Sequence, residues 1–308
     1  MMDVVTIGWL TVDDIVLTDG TCRKGVIGGG ALYSAVGAQF FTDQVGIHSV
    51  CGRPYFDRVT ADITARGLDA EGIGPIDGNG LELWLLHESE VHKQQIPKLS
   101  SSTAVEMDRQ RGPLHAAYRT AKGFHIAPQS PAGSLDNVKA LSALGRSPIV
   151  TMDILSDVFI DARAYQDLSF LDNLTAFMPS ESEVMRIWGP ENLEEWLRSN
   201  AIRHNCHLIA KLGERGSLVC EASTGRLADV PALHVDVLDT TGAGDAYCGG
   251  FVAALVAQRT LIECAALGTV SASYVVEACG ALATARPQSA DWSARFNQAL
   301  SNVRSRDA

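Results

Sequence analysis

The residue types best suited to chemistry sit together in DTTGAGDAYCGG, positions 239–250, where Gly242, Ala243 and Gly244 precede an acid, Asp245. Glycine is a poor helix residue, yet from Ala243 onward Ala246, Phe251, Ala254 and Leu255 are spaced to pack as a helix. Amides at a helix start lack intrahelical partners and face outward with the positive end of the dipole. Residues without side chains let an anion touch them. A phosphate fits such a place. A carboxylate beside a phosphate is unfavourable unless it has a task, and the task that suits it is taking the proton of an attacking hydroxyl. The amides of Gly242, Ala243 and Gly244 would then neutralise charge gathering on the transferred group. The same string also reads without chemistry, as turn glycines followed by an acid that complements the helix dipole.

Such a site needs a scaffold that delivers strand ends and helix starts to one edge. Short apolar runs at Val4 to Ile7, Val45 to Val50, Ile149 to Met152, Leu174 to Met178, Leu208 to Leu212 and Leu233 to Leu238 read as strands. Helical patterns lie between them. Leu32, Val36 and Phe40 recur at helical spacing, Phe56, Val59 and Ile63 share a face, and Gly67 stands where a C-terminal cap is expected. This alternation predicts a mostly parallel sheet covered on both faces. Two segments break the rhythm. Asp14 to Leu17 and Thr21 to Ile27 flank an Asp19-Gly20 turn, and Leu81 to His87 followed by Val91 to Ile96 reads as a second hairpin. They form either a small β-sheet lid over a cleft or an edge extension of the main sheet.

Bulk properties narrow the function classes. The chain has 308 residues, a formal net charge of −11, 46% apolar and 20% charged residues, and no basic tract. That balance argues against nucleic acid, since binding a phosphate backbone requires clustered Lys and Arg. No apolar run approaches the ~18 residues of a membrane span, and the first residues, MMDVVTIGWL, lack the parts of an export signal. Seven cysteines without metal-type spacing read as reduced core thiols. A soluble, cytoplasmic protein is expected, one domain over residues 1–308 with lid segments at about 10–27 and 80–97.

DTTGAGDAYCGGF resembles the carboxy-terminal signature of the ribokinase-like (PfkB) carbohydrate kinase family, and the likeness runs along nearly the whole chain. GGGALYSAVGAQFF, from Gly28, is similar to the family's amino-terminal glycine motif. VGIHSVCGRPYFDRVTADITARGLDAEGI, from Val45, resembles the segment that follows it, and KLGERGSLV, from Lys211, the strand and turn lining the nucleotide site. The resemblance implies a three-layer α/β/α sandwich with a mostly parallel central sheet and a β-sheet lid. It also implies an ATP-dependent, magnesium-requiring kinase of a sugar or sugar-like alcohol, and a homodimer that pairs through the lid.

Carried over position by position, Asp245 is the base, and Gly242, Ala243 and Gly244 the anion hole. Asp13, Gly28 and Gly29 hold substrate hydroxyls. Lys211, Gly213, Gly216, Thr269 and Gly280 line the ATP site. Glu183 serves magnesium through water, and Asp239, with the backbone at Thr241, matches a region that binds a monovalent cation such as K+ in some members. Several positions depart from the ribose-using pattern. Tyr33, Thr11, Thr269 and Ser180 stand where Asn is common, and Gln129 stands where a substrate-facing Glu is expected. Those at the sugar suggest an acceptor other than ribose, such as a nucleoside or a cyclitol. A nucleotide or sugar sensor that has lost turnover is the competing class. A Rossmann oxidoreductase is disfavoured, because GGGALY does not supply the required G-x-G-x-x-G.

Overall fold

The computed structural model describes residues 1–88, 93–155 and 162–306. In chain order these form β1 (Val4–Ile7), β2 (Thr11–Val16), β3 (Cys22–Gly28), α1 (Gly30–Gln39), β4 (Val45–Gly52), α2 (Phe56–Ala65), β5 (Ile73–Ile76), β6 (Leu81–His87), β7 (Lys93–Pro97) and α3 (Ala104–Gln110). There follow β8 (Gly123–Ile126), α4 (Pro131–Ser142), β9 (Ile149–Met152), β10 (Ala176–Phe177), α5 (Glu181–Ile187), α6 (Leu193–His204), β11 (His207–Lys211), β12 (Ser217–Cys220) and β13 (Leu227–Val230). The last elements are α7 (Ala243–Val256), α8 (Leu261–Val275), α9 (Ser289–Ser301) and β14 (Arg304–Ser305).

A ten-stranded sheet runs in the order β14-β13-β12-β11-β10-β9-β8-β1-β4-β5. It is parallel from β5 to β11, and β12, β13 and β14 extend that end antiparallel. Alternation along the strands supplies both faces. Val4, Val45 and Ile47 pack with Leu32 and Val36 of α1 and Val252 of α7, whereas Val5, Ile7, Phe124 and Ile126 pack with Val138 and Leu141 of α4 and Leu197 of α6. The three-layer sandwich is thus observed.

The glycines inside α7 answer their poor helix propensity by close packing. A β-carbon on Gly249 would lie 1.8 Å from Ser34 O of α1, and one on Gly250 would lie 2.3 Å from Ser271 Oγ of α8. Their absence brings α7 tight against both neighbours and fixes where its first turn emerges.

A second, four-stranded sheet has the order β3-β2-β6-β7, and both expected hairpins are in it. Thr21 N donates to Asp19 Oδ1 at 2.8 Å in the first turn, where Gly20 has φ +82°. Of the second hairpin, Val91 and His92 lie outside the described residues. α2 ends as its sequence indicates, with Gly67 at φ +87° directly after the C-cap residue Arg66.

Two expected strands are corrected. Leu233 to Leu238 forms no strand: β13 ends at Val230, Pro231 follows, β14 occupies β13's free edge, and Val237 and Leu238 are exposed. The run from Leu174 to Met178 contracts to the two residues of β10.

Candidate active site

Gly242 is the N-cap of α7 with φ +75°, in the left-handed region that favours glycine. Asp245 falls in the first turn. Its Oδ1 lies 2.9 Å from where a β-carbon on Gly30 would stand, and that point is equally close to Pro128 Cδ. The amino-terminal glycine motif therefore meets the α7 start at the carboxylate itself. Gly29, the N-cap of α1 at φ +98°, has Trp9 O 2.4 Å from its missing β-carbon, so this turn too tolerates no side chain.

Asp13, Gly28 and Tyr33 come together as expected. Thr11 Oγ1 donates to Asp13 Oδ2 at 2.7 Å, and both atoms crowd the place of a Gly28 β-carbon, with Tyr33 Cε2 beyond them at 3.7 Å. The Tyr33 ring continues to Gly242, so one side chain spans the amino-terminal glycine motif and the turn that starts α7. Burial, then the charges of Asp239 and Asp13, push the Tyr33 phenol well above its ordinary range, which keeps it neutral.

Gln129 follows β8 and is fully buried. Its Oε1 accepts from Arg111 Nη1, whereas its Nε2 has no hydrogen-bond partner among the described residues. Arg111 also donates to Asp108 Oδ1 at 3.2 Å. Asp239 is buried in the loop before α7; Thr241 N donates to its Oδ1 at 2.8 Å, and His87 Nε2, from the end of β6, lies 3.6 Å from the same oxygen.

At the first turn of α7, Lys211 ends β11 with its Nζ 3.4 Å from the place of a Gly244 β-carbon. It is ion-paired there with Asp153 Oδ2. Burial works to lower Lys211, but Asp153, Cys248 and Glu183 outweigh it and raise the ammonium's pKa. Burial likewise raises Asp153 and Glu183 above the usual carboxylate range, with Lys211 opposing. Removing one partner of such a buried pair typically costs about 3–5 kcal/mol. Ser180 caps α5 in a reciprocal box: Glu183 N donates to Ser180 Oγ at 3.2 Å, and Ser180 N to Glu183 Oε2 at 2.6 Å.

The glycines expected to line the ATP site are disposed differently from one another. Gly213 has φ +63° and open space around it. Gly216 packs on β13, its missing β-carbon only 2.1 Å from Val230 O, and Gly280 faces Val26 of β3 at 2.9 Å. Thr269 is buried within α8. Sequence reasoning missed Asp153, Cys248 and Arg111. For Asp153 a signal existed: it directly follows the β9 strand, and ligands in open α/β sheets gather at carboxyl ends of strands.

Residues 16–288 match the model of the pfkB family carbohydrate kinases. A cytidine kinase from Thermococcus kodakarensis is 27% identical over 285 residues, 91% of this chain and 98% of that protein. A ribokinase from Lactococcus lactis is 30% identical over 115 residues, 37% of this chain and only 36% of the ribokinase. A crystal structure from E. coli, provisionally assigned as ribokinase II and solved with ATP and Mg2+, superposes with a TM-score of 0.74 at 17% identity, covering 97% of this chain and all of the other. Together with the ribokinase-like fold, the match over most of the chain shows that this protein belongs to the pfkB family of carbohydrate and nucleoside kinases, phosphotransferases with an alcohol group as acceptor.

Proposed function

We propose that the protein transfers the γ-phosphate of ATP to a hydroxyl of a ribonucleoside. The observation that carries this reading is the likeness to a cytidine kinase over 98% of that protein's length. Two features of the site support it. Tyr33 replaces the small amide expected at the sugar with an aromatic ring. Gln129 has its carbonyl engaged by Arg111, which leaves the amide nitrogen as a donor for an acceptor atom. Sugars and cyclitols are the alternative acceptors.

In this reading Asp13, with the backbone of Gly28 and Gly29, orients the acceptor, and Asp245 takes the proton of the attacking hydroxyl. The amides of Gly242, Ala243 and Gly244, with Lys211, stabilise charge on the transferred group. The four-stranded sheet, residues 10–27 and 80–97 within a single domain, acts as a lid that excludes water. Its exposed Trp84 and Ile96, 37% and 38% accessible, suit a homodimer paired through that sheet.

Magnesium fits the oxygen donors of Glu183 and Ser180 through water. Magnesium typically keeps several waters and is held by one or two carboxylates plus substrate phosphates. When bound, it neutralises phosphate charge. A monovalent cation suits Asp239, whose buried Oδ2 has no hydrogen-bond partner among the described residues.

An ADP-release screen over cytidine, uridine, adenosine, inosine, ribose, fructose and inositol tests the assignment. Highest kcat/KM on a nucleoside is expected; a preference for a free sugar or a cyclitol overturns the nucleoside reading. Measurable nucleoside binding with no ADP release from any of these alcohols would instead identify a sensor.

A further inference from the structure

Three neighbouring strands end at one place. Asp153 follows β9, Ser180 and Glu183 follow β10, and Lys211 closes β11 with its Nζ beside Gly244 in the first turn of α7. Lys211 Nζ is ion-paired with Asp153 Oδ2, lies 3.9 Å from Cys248 Sγ, and stands next to Gly244. Both oxygens of Asp153 are engaged by this chain. Oδ1 accepts from Ile154 N at 2.9 Å, and Oδ2 meets Lys211, with Cys248 Sγ at 3.7 Å. A carboxylate so occupied, with only 3% of its side chain exposed, is poorly placed to serve as a metal ligand and well placed to fix a lysine. A lysine's four-carbon stem is flexible and its charge is a point. It can serve an anion site reproducibly only if something holds it.

We propose that Asp153 is a positioning residue for phosphoryl transfer: by pairing with Lys211 it keeps the ammonium beside Gly244, so that the anion hole of α7 carries a fixed full positive charge in addition to its amides. This rests on reading Gly242, Ala243 and Gly244 as the anion hole. Preorganised charge is worth most where it needs no rearrangement during the reaction. Asp153 is itself anchored directly after β9, where its N–H donates to Ile126 O of β8 at 2.9 Å. The side chain acts only through Lys211, so its effect should vanish once Lys211 is gone.

The test is a double-substitution cycle, with MgATP and adenosine binding read by titration calorimetry. Asp153→Asn is expected to weaken MgATP about tenfold while adenosine binding stays within about twofold, because only the phosphates meet Lys211. Lys211→Met should give the same split, and Asp153→Asn with Lys211→Met should be no worse than Lys211→Met alone. Equal losses for MgATP and adenosine mean a merely structural role and overturn the proposal. So do additive losses in the double variant, which mean that Asp153 acts on the phosphates or metal by itself. If Lys211→Met leaves MgATP binding unchanged, it is Lys211's part in the anion hole that fails, and the proposal falls with it. Should Asp153→Asn not fold, Asp153→Glu displaces the ammonium with the charge retained, and the same selective loss of MgATP is required.

Discussion

The ring of Tyr33 fills the space that a β-carbon on Gly242 would need: such an atom would lie 2.1 Å from both Cγ and Cδ1. Gly242 is held in the left-handed region by its φ of +75°, a conformation that costs other residues about 1–2 kcal/mol. Gly242→Ala is therefore expected to lower the melting temperature and to cut kcat by about a hundredfold or more, since a misplacement of about 1 Å has that effect. Adding Tyr33→Ala removes the clash but leaves the strained φ and empties a buried site, so neither stability nor turnover should recover. Recovery of both would mean that the turn's geometry matters less than the space around it.

Asp245 shares its surroundings with Gly30 and Pro128 from two other elements, so its position does not depend on α7 alone. Asp245→Asn should lower kcat by about 10²–10⁴ with MgATP affinity nearly unchanged, the signature of a group that acts on the acceptor's proton. Turnover equal to the parent enzyme's on the acceptor found by the screen would remove Asp245 from the mechanism.

The site was legible in the sequence where it is local and obscure where the sheet order assembles it. The α7 start, the Asp19-Gly20 turn and the α2 cap each draw on adjacent residues, and each formed as the pattern indicated. Asp153 and Lys211 are 58 positions apart and meet only because β10 lies between their strands. Arg111, directly after α3, and Gln129, three residues beyond β8, meet across 18 positions, a contact that no periodicity encodes. Leu233 to Leu238 misled because an apolar run says nothing about whether a neighbouring strand is present to pair with it. β13 stops at Val230, before Pro231, and the residues beyond serve as the approach to Asp239 instead.

Stability should depend on pH through two buried histidines. Burial above all, with Arg111 adding at His48 and Lys211 at His125, lowers His48 to about 4 and His125 to about 3, from an ordinary 6.5. Below that ordinary value the unfolded chain takes up protons that the folded chain refuses. Stability therefore falls as pH drops from 6.5 toward those two values. The limit is about 1.4 kcal/mol per pH unit for each histidine. Glu183 and Asp153, both raised in the fold, work in the opposite sense within the windows between their ordinary and raised values and offset much of the histidine effect. Urea unfolding should show a net stability lower by about 1 kcal/mol at about pH 5 than at about pH 7. His48→Gln, which can still reach Gly72 O, should shrink the difference; an unchanged difference assigns the effect elsewhere.

Asp239 and His87 join the loop before α7 to the last residue of β6. Each carries a buried atom, Asp239 Oδ2 and His87 Nε2, with no hydrogen-bond partner among the described residues. A buried carboxylate oxygen in that state is costly unless something binds it, and a monovalent cation there would tie Asp239 to the turn that presents Gly242. Potassium chloride is thus expected to raise both the melting temperature and kcat relative to choline chloride at equal ionic strength. Asp239→Asn should abolish both responses, because a neutral amide loses the charge that draws the ion while keeping the acceptor for Thr241 N. Identical behaviour in the two salts would mean that no such cation binds and that contacts within the chain, His87 and Thr241 N among them, suffice for Asp239. In that case His87→Ala, and not the choice of salt, should lower stability and turnover together.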